Sequence, residues 1–180
     1  MTEIKEPFLK RLKKARPSIY TLALLGVAVY FWFRPPASIS DETKPLSPFT
    51  TQLIDGRLAS KDHLQGKVVL VNFWATWCPF CQHEMPAMET FYQEYKNKDF
   101  EMLALSIDDD AGVVKQFIAK NGYSFPVGMA NSTTTSAFGR IPGVPVSFLI
   151  DKHGIIRKTI SGQLHSGNLK DLVAPLLEEQ

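Results

Sequence analysis

Apolar and polar residues follow one another along the chain in a pattern that predicts strands and helices in alternation. Residues 68–73 form a continuous apolar run, which is typical of a strand buried on both faces of a parallel sheet. Residues 79–96 then carry apolar side chains at helical spacing, and residues 100–106 predict a second strand. A helix over residues 113–119 follows and is expected to end at Gly122.

The last third of the chain predicts a hairpin and a closing helix. A short helix is expected near residues 134–138, and two strands at 146–150 and 155–160 flank a turn at 151–154. Residues 168–177 carry a single apolar stripe, which indicates a final amphipathic helix. The predicted fold class is therefore α/β, with a mixed central β-sheet flanked by helices.

An apolar run without charged residues near the N-terminus predicts a membrane segment. Residues 17–33, at the helical rise of about 1.5 Å per residue, span roughly 25 Å, the short end of what crosses a bilayer. Arg16 and Arg34 flank this run. We therefore predict a transmembrane signal-anchor over residues 17–34. A cleaved signal peptide is the alternative, with residues 38–40 as a weak cleavage site.

The distribution of charge indicates the orientation and the domain boundaries. Residues 1–16 hold six Lys or Arg against two Glu, whereas residues 35–180 hold 13 basic and 16 acidic residues. The positive-inside rule predicts a basic cytoplasmic N-terminus at 1–16, a single-pass protein of the cytoplasmic (inner) membrane, and a C-terminal domain in the periplasm or extracytoplasmic space. Residues 35–46 predict a linker, and residues 47–180 the folded domain. Because this domain is not basic, no nucleic-acid partner is expected.

The chain contains two cysteines, which lie three positions apart in the run Trp77-Cys78-Pro79-Phe80-Cys81. Two sulfurs cannot complete a structural zinc site, so the pair is a redox couple or part of an open metal site. An inert bridge is the remaining alternative, but such a short bridge closes almost no loop and stabilises little. The position of the pair between an apolar strand and a helix favours the redox couple.

This position also suggests a role for each sulfur. Cys78 begins the predicted helix, where free N–H groups and the positive end of the helix dipole stabilise a thiolate. We therefore predict that Cys78 attacks a partner disulfide and that Cys81 resolves the mixed disulfide, without a cofactor or a metal. Glu84 lies three residues after Cys81, on the same helix face, and is predicted to take the proton of the resolving thiol. A solvated helix charge is the alternative for Glu84.

Several separated motifs resemble the TlpA/ResA/DsbE branch of the thioredoxin-like family. They are residues 71–81 (VNFWATWCPFC), residues 84–86 (EMP), and residues 143–151 (GVPVSFLID) with Gly154, in the order of the family. The resemblance covers about residues 47 to 177. It implies a thioredoxin-like domain that acts as a thiol–disulfide oxidoreductase.

The resemblance also implies roles for residues outside the cysteine pair. Pro145 falls where the family keeps a cis-proline that faces the cysteines, and the backbone of Val144 would then pair with an extended substrate segment. Trp77 is expected to pack beside the site and take part in substrate binding, although a place in the core alone is the alternative. Asn72 occupies the position of a buried acid in thioredoxin itself, so the proton role of that acid cannot be carried over.

The same resemblance implies a reductase of exported protein thiols, with cytochrome c maturation as one setting. A membrane electron donor of the DsbD/CcdA type would supply the reductant. One departure is Val146, because the cytochrome-maturation subgroup usually has an acidic residue after the cis-proline. A periplasmic disulfide oxidase or isomerase is the nearest alternative. A copper-binding module is a further one, disfavoured by the cysteine spacing and the cis-proline, and Ala75 disfavours a peroxiredoxin.

Overall fold

The computed structural model describes residues 18–33, 37–139 and 141–179 of the chain. The helices within these ranges are α1 (Ile19–Phe33), α2 (Pro79–Tyr95), α3 (Ala111–Asn121), α4 (Ser132–Phe138) and α5 (Ser166–Glu178), with a short 3₁₀ helix at Lys61–Leu64. The strands are β1 (Ser38–Pro45), β2 (Thr50–Gln52), β3 (Leu58–Ser60), β4 (Val68–Trp74), β5 (Phe100–Ser106), β6 (Val127–Met129), β7 (Val146–Ile150) and β8 (Ile155–Ser161).

Six strands form one mixed sheet in the order β1-β8-β7-β4-β5-β6. Strands β4, β5 and β6 run parallel to one another, whereas the pairs β4–β7, β7–β8 and β8–β1 are antiparallel. A separate two-stranded antiparallel sheet joins β2 and β3. The predicted α/β class with a mixed central sheet and flanking helices is therefore confirmed.

Strand β4 lies at the centre of this sheet, and all seven of its residues are buried. Its alternate residues Val68, Leu70 and Trp74 belong to a core cluster that includes Met85 and Met88 of α2. The intervening residues of β4 belong to a second cluster, which includes apolar side chains of α4 and β7. A slip of one residue would exchange these two sets, so the register of β4 is strongly specified and the residues after it have a fixed position.

The predicted elements of the domain are confirmed, with small shifts at their ends. Strand β5 has the predicted bounds, and α2 ends at Tyr95, one residue earlier than predicted. Helix α3 is longer than predicted and ends at Asn121; Gly122 follows it as the C-cap, with a left-handed backbone at φ 70°. The hairpin of β7 and β8 also forms as predicted.

The segment 35–46, predicted to be a linker, requires a correction. Residues 38–45 form β1, which pairs with β8 from Ser38 opposite Ser161 to Pro45 opposite Ile155. Almost all of the β1 side chains are exposed, so the sequence has no apolar alternation to reveal the strand. Backbone pairing at the sheet edge holds β1, and these residues therefore belong to the sheet and not to a linker.

Helix α1 lies inside the segment 17–34 that was predicted to cross the membrane. No helix in the described part of the chain combines the length and apolar character needed to span a bilayer. The predicted basic N-terminus at 1–16 lies outside the described residues.

Candidate active site

The cysteine pair lies where α2 begins, directly after the loop that follows β4. Cys78 is the N-cap residue, with an extended backbone, and Pro79 starts the helix, where proline needs no hydrogen-bond donor and has a suitable φ. The N–H of Cys81 donates to Sγ of Cys78 over 3.2 Å. The helix terminus thus directs a donor at this sulfur, and the dipole favours negative charge there.

Cys78 and Cys81 form a disulfide, with their Cα atoms 5.3 Å apart. The exposed fraction is 4% for Cys78 and 0% for Cys81. A partner therefore reaches the sulfur of Cys78 before that of Cys81. This difference agrees with an attacking role for Cys78 and a resolving role for Cys81.

The segment before β7 contacts the attacking sulfur. The Val144–Pro145 peptide bond is cis, as the resemblance implies. Sγ of Cys78 lies 3.7 Å from the carbonyl oxygen of Val144. The carbonyl of Pro145 accepts a hydrogen bond of 3.0 Å from the N–H of Gly162, which fastens this segment to the end of β8. Val144 and Pro145 are thus brought against the cysteine pair.

Glu84 is a buried residue of α2, with an exposed fraction of 1%, so the alternative of a solvated helix charge does not hold. Its Oε1 accepts from Nδ2 of Asn72 at 2.9 Å, and its Oε2 accepts from the N–H of Leu164 at 2.7 Å. Burial raises the pKa of Glu84 from 4.5 to about 8, although these two hydrogen bonds oppose the rise. A carboxyl group with such a pKa exchanges protons near neutral pH, close to the pKa of an ordinary thiol.

Sequence reasoning missed two residues of this buried network: Ser147, which bonds to Asn72, and Leu164, which bonds to Glu84. Ser147 of β7 accepts a hydrogen bond of 2.9 Å from the same Asn72 Nδ2, and Leu164 follows β8. A signal for Ser147 exists, because Asn72 and Ser147 each interrupt an otherwise apolar strand. Leu164 acts through its backbone and leaves no signal in the sequence.

Asp108 and Asp110 are close in the sequence but bond to different parts of the domain. Asp110 is the N-cap of α3 and accepts from the N–H of Gly112. Asp108 instead accepts from the N–H and the hydroxyl of Thr76, at 2.8 and 2.6 Å, and from the hydroxyl of Ser106. Burial alone would raise the pKa of Asp108, but the bonds from Ser106 and Thr76 outweigh it and lower the pKa. The end of β5 is thereby tied to the loop that precedes Cys78.

Two large apolar side chains beside the pair are open to solvent. Trp77 is 65% exposed and Phe80 is 41% exposed. The alternative that Trp77 serves the core alone is therefore excluded. Exposed aromatic groups next to a reactive sulfur offer apolar area to an incoming polypeptide.

The histidines do not join the cysteines in a recognisable metal site. His83 is exposed, and Nδ1 of His63 lies 2.8 Å from the Ser60 hydroxyl. Across residues 18–33, 37–139 and 141–179, no group of three His, Cys, Asp or Glu side chains is placed to hold a metal ion.

Known proteins are similar to this chain in sequence and in fold. The family model described as Redoxin matches residues 42–176. Thiol-disulfide oxidoreductase ResA of Bacillus anthracis is 36% identical over 139 residues, which cover 77% of this chain and 80% of that protein. Thiol-disulfide oxidoreductase ResA of Geobacillus thermodenitrificans is 33% identical over 152 residues, which cover 83% of this chain and 86% of that protein.

A solved structure has a similar fold. The crystal structure of a thiol:disulfide interchange protein of the thioredoxin family from Chlorobium tepidum superposes with a TM-score of 0.71 at 30% sequence identity. The match covers 77% of this chain and 99% of the Chlorobium chain.

Proposed function

The chain belongs to the Redoxin family, in the TlpA/ResA/DsbE branch of the thioredoxin-like proteins, and is a protein thiol–disulfide oxidoreductase; from this premise we propose that it reduces disulfides of exported proteins. The observation that carries the catalytic part is the asymmetry of the pair. Cys78 is slightly exposed at a helix N-terminus, whereas Cys81 is fully buried on the helix that carries Glu84. The reductase direction is supported by the resemblance of the sequence motifs to this branch.

The proposed first step is attack by the Cys78 thiolate on a substrate disulfide. A new bond forms between Cys78 and one substrate sulfur, the substrate S–S bond breaks, and the other substrate sulfur leaves as a thiolate that takes a proton from water. The positive end of α2 and the Cys81 N–H stabilise the attacking thiolate. The carbonyl of Val144, close to Cys78, is available to pair with the backbone of an extended substrate segment.

The second step releases the reduced substrate. Cys81 gives its proton to the Glu84 carboxylate and attacks Sγ of Cys78, so the mixed disulfide breaks and the second substrate sulfur leaves as a thiolate. A buried thiol resists ionisation, so a base with a similar pKa assists this step most effectively. Glu84, whose pKa is about 8, meets that requirement. The product is the Cys78–Cys81 disulfide, the form present in the structure.

The proposed location is the outer side of the cytoplasmic membrane, with residues 17–34 as a single-pass anchor. Six basic residues precede this segment in the sequence. Several apolar side chains of α1 are exposed, including Leu22, Leu24 and Leu25, as expected of a surface that meets lipid. A membrane electron donor of the DsbD/CcdA type would return the pair to the dithiol form.

Cytochrome c maturation is one proposed setting for this reductase, and Val146 is the residue that argues against restricting the substrates to apocytochrome c. Val146 is 2% exposed and belongs to an apolar core cluster, so this position offers no carboxylate to a substrate. We therefore take the substrate class to be exported proteins with accessible disulfides, of which apocytochrome c is one member.

The decisive experiment is alkylation trapping of the cysteines in intact cells. A pair that is mostly reduced, and that becomes oxidised when the membrane electron donor is removed, supports a reductase. A pair that is mostly oxidised in both backgrounds contradicts the reductase and favours a disulfide oxidase. The double variant Cys78→Ser with Cys81→Ser controls for labelling elsewhere, because the chain contains no other cysteine.

A further inference from the structure

A small group of polar side chains interrupts the apolar core beneath the cysteine pair. Asn72 and Ser147 are 0% exposed, and Glu84 is 1% exposed. Strand β4 places Asn72 between Leu70 and Trp74 on the face that packs against α2. Buried polar groups destabilise the fold unless they are hydrogen-bonded. The hydrogen bonds among these three side chains therefore determine how each of them is oriented.

The amide nitrogen of Asn72 serves two acceptors at once. Its Nδ2 donates to Oε1 of Glu84 and to Oγ of Ser147, each over 2.9 Å. The amide oxygen of the same residue is buried and has no hydrogen-bond partner. Because an unpaired buried oxygen carries a free-energy cost, the two N–H bonds must together hold the amide in this orientation.

The sheet register explains how Ser147 comes to hold Asn72. The two residues are direct partners in the antiparallel pairing of β4 with β7, so their side chains project from the same face of the sheet. Ser147 lies two residues after Pro145, on the strand that follows the segment contacting Cys78. The orientation of the Glu84 carboxyl group is thus linked, through one amide, to the strand that positions this segment.

We propose that Asn72 and Ser147 are positioning residues for Glu84: Asn72 orients the carboxyl group and favours the loss of its proton, and Ser147 fixes the amide that does so. An N–H donor stabilises a carboxylate more than a neutral acid, so the Asn72 bond favours the ionised form. Asn72 carries no charge of its own and therefore does not compete for the proton. The importance of this pair for catalysis rests on the proposed role of Glu84 as proton acceptor.

Among the residues that the structure describes, no charged side chain shifts the pKa of Glu84. Strands β4 and β7 contain no titratable residue, and the two cysteines on the α2 side form the disulfide. His165 precedes α5, whose Lys170 is paired with Glu94 and whose Asp171 is exposed. On neighbouring β8, Arg157 and Lys158 pair with Asp151, Glu179 and Asp41. The pKa of Glu84 responds to burial and to the bonds from Leu164 and Asn72, with no contribution from any of these charges.

The test is a titration of Glu84 in the full chain by ¹³C NMR of glutamate side-chain carboxyls between pH 5 and 10, with the cysteines oxidised. Glu84→Gln assigns the resonance. Asn72→Leu is expected to move the midpoint upward by roughly one pH unit, since a hydrogen bond to a charged group is lost. Ser147→Ala is expected to move it upward by less, because Asn72 keeps its bond to Glu84 but loses its second anchor. Thr51→Val, which removes another buried hydroxyl, should leave the midpoint unchanged.

A midpoint that stays at the wild-type value in either Asn72→Leu or Ser147→Ala overturns the proposed pair. The unsubstituted chain provides a second measurement in case Asn72→Leu fails to fold. Its Asn72 side-chain N–H resonances should shift with the same midpoint as the Glu84 carboxyl, and resonances that do not respond also overturn the proposal. Neither measurement depends on the direction of electron flow or on turnover. A failure here is therefore distinguishable from a failure of the proposed function.

Discussion

The sulfur of Cys78 lies 3.7 Å from the carbonyl oxygen of Val144, whereas Cys81 is fully buried. An incoming disulfide that pairs with Val144 therefore meets Cys78 first. The variant Cys81→Ala should accumulate a mixed disulfide with protein partners, because the resolving sulfur is missing. Non-reducing electrophoresis of trapped complexes measures this. Cys78→Ala is the matched control and should trap little; trapping by Cys78→Ala alone would reverse the assigned roles.

Replacement of Glu84 by Gln should change the pH dependence of disulfide exchange. In the unsubstituted chain the rate of the resolving step should rise through about pH 8 as Glu84 ionises, given its raised pKa. Glu84→Gln keeps an oxygen for hydrogen bonding but cannot accept a proton, so this inflection should vanish. Single-turnover reduction of a model disulfide from pH 5 to 10 provides the profile. Glu94→Gln, at an exposed position of the same helix, should keep the inflection, and an unchanged profile in Glu84→Gln would remove Glu84 from the mechanism.

The same carboxyl group predicts an unusual dependence of stability on pH. The folded protein retains the Glu84 proton up to about pH 8, whereas the unfolded chain releases it near pH 4.5, so the free energy of unfolding should fall as pH rises through this window. Between pH 5 and pH 8.5 the wild-type protein should lose a few kcal/mol, at about 1.4 kcal/mol per pH unit, and Glu84→Gln should lack this loss. Urea unfolding at pH 5 and pH 8.5 provides the comparison. If the free energy of unfolding changed equally between pH 5 and pH 8.5 in both proteins, the buried-acid interpretation would be refuted.

Asp108 should stabilise the loop before the cysteines. Asp108→Asn weakens three hydrogen bonds to a charged acceptor, so we expect a loss of about 1–3 kcal/mol in the free energy of unfolding at pH 7. Because its pKa is lowered, this contribution is present above the ordinary value of 3.8 and disappears as pH falls through the folded-state value. Denaturant unfolding at pH 7 measures the loss. Asp109→Asn, at the exposed neighbouring position, should cost little, and equal losses in the two variants would argue against a specific tie to Thr76.

Trp77 should contribute to substrate binding more than to the chemical step. Its 65% exposed side chain offers apolar area beside Cys78, so Trp77→Ala should raise the KM for a protein disulfide several-fold and change kcat less. Steady-state kinetics with a folded protein substrate separates the two parameters. Leu58→Ala, at another exposed apolar position, should leave both unchanged. A loss confined to kcat in Trp77→Ala would place this residue in the chemical step instead.

The parts of the fold that could be predicted from sequence are those whose side chains are buried with a regular period. The continuous apolar run of β4 reflects a strand buried on both faces, and the helical spacing of α2 reflects one buried helix face. Both elements form as expected. The position of Cys78 follows from them, because a strand of fixed register and a helix starting with proline leave little freedom between them.

The remaining parts depend on polar backbone and long-range contacts that leave no periodic signal. Strand β1 is held by backbone pairing with β8 and buries almost none of its side chains, so its composition resembles that of a linker. Asp108 reaches Thr76 across 32 positions of the sequence, and Leu164 reaches Glu84 across 80. Such partners become visible only when the topology brings the elements together.

The two outer strands of the six-stranded sheet limit how the domain can associate with copies of itself. Strand β1 carries exposed charges such as Asp41, and its pairing with β8 shifts register between Asp41 and Lys44, an irregularity that disfavours a further strand. Strand β6 at the opposite edge has three residues and is bridged by Leu53 at Gly128. A sheet with such edges is a poor template for fibril growth. That property suits an enzyme that is proposed to pair with extended substrate segments without polymerising with them.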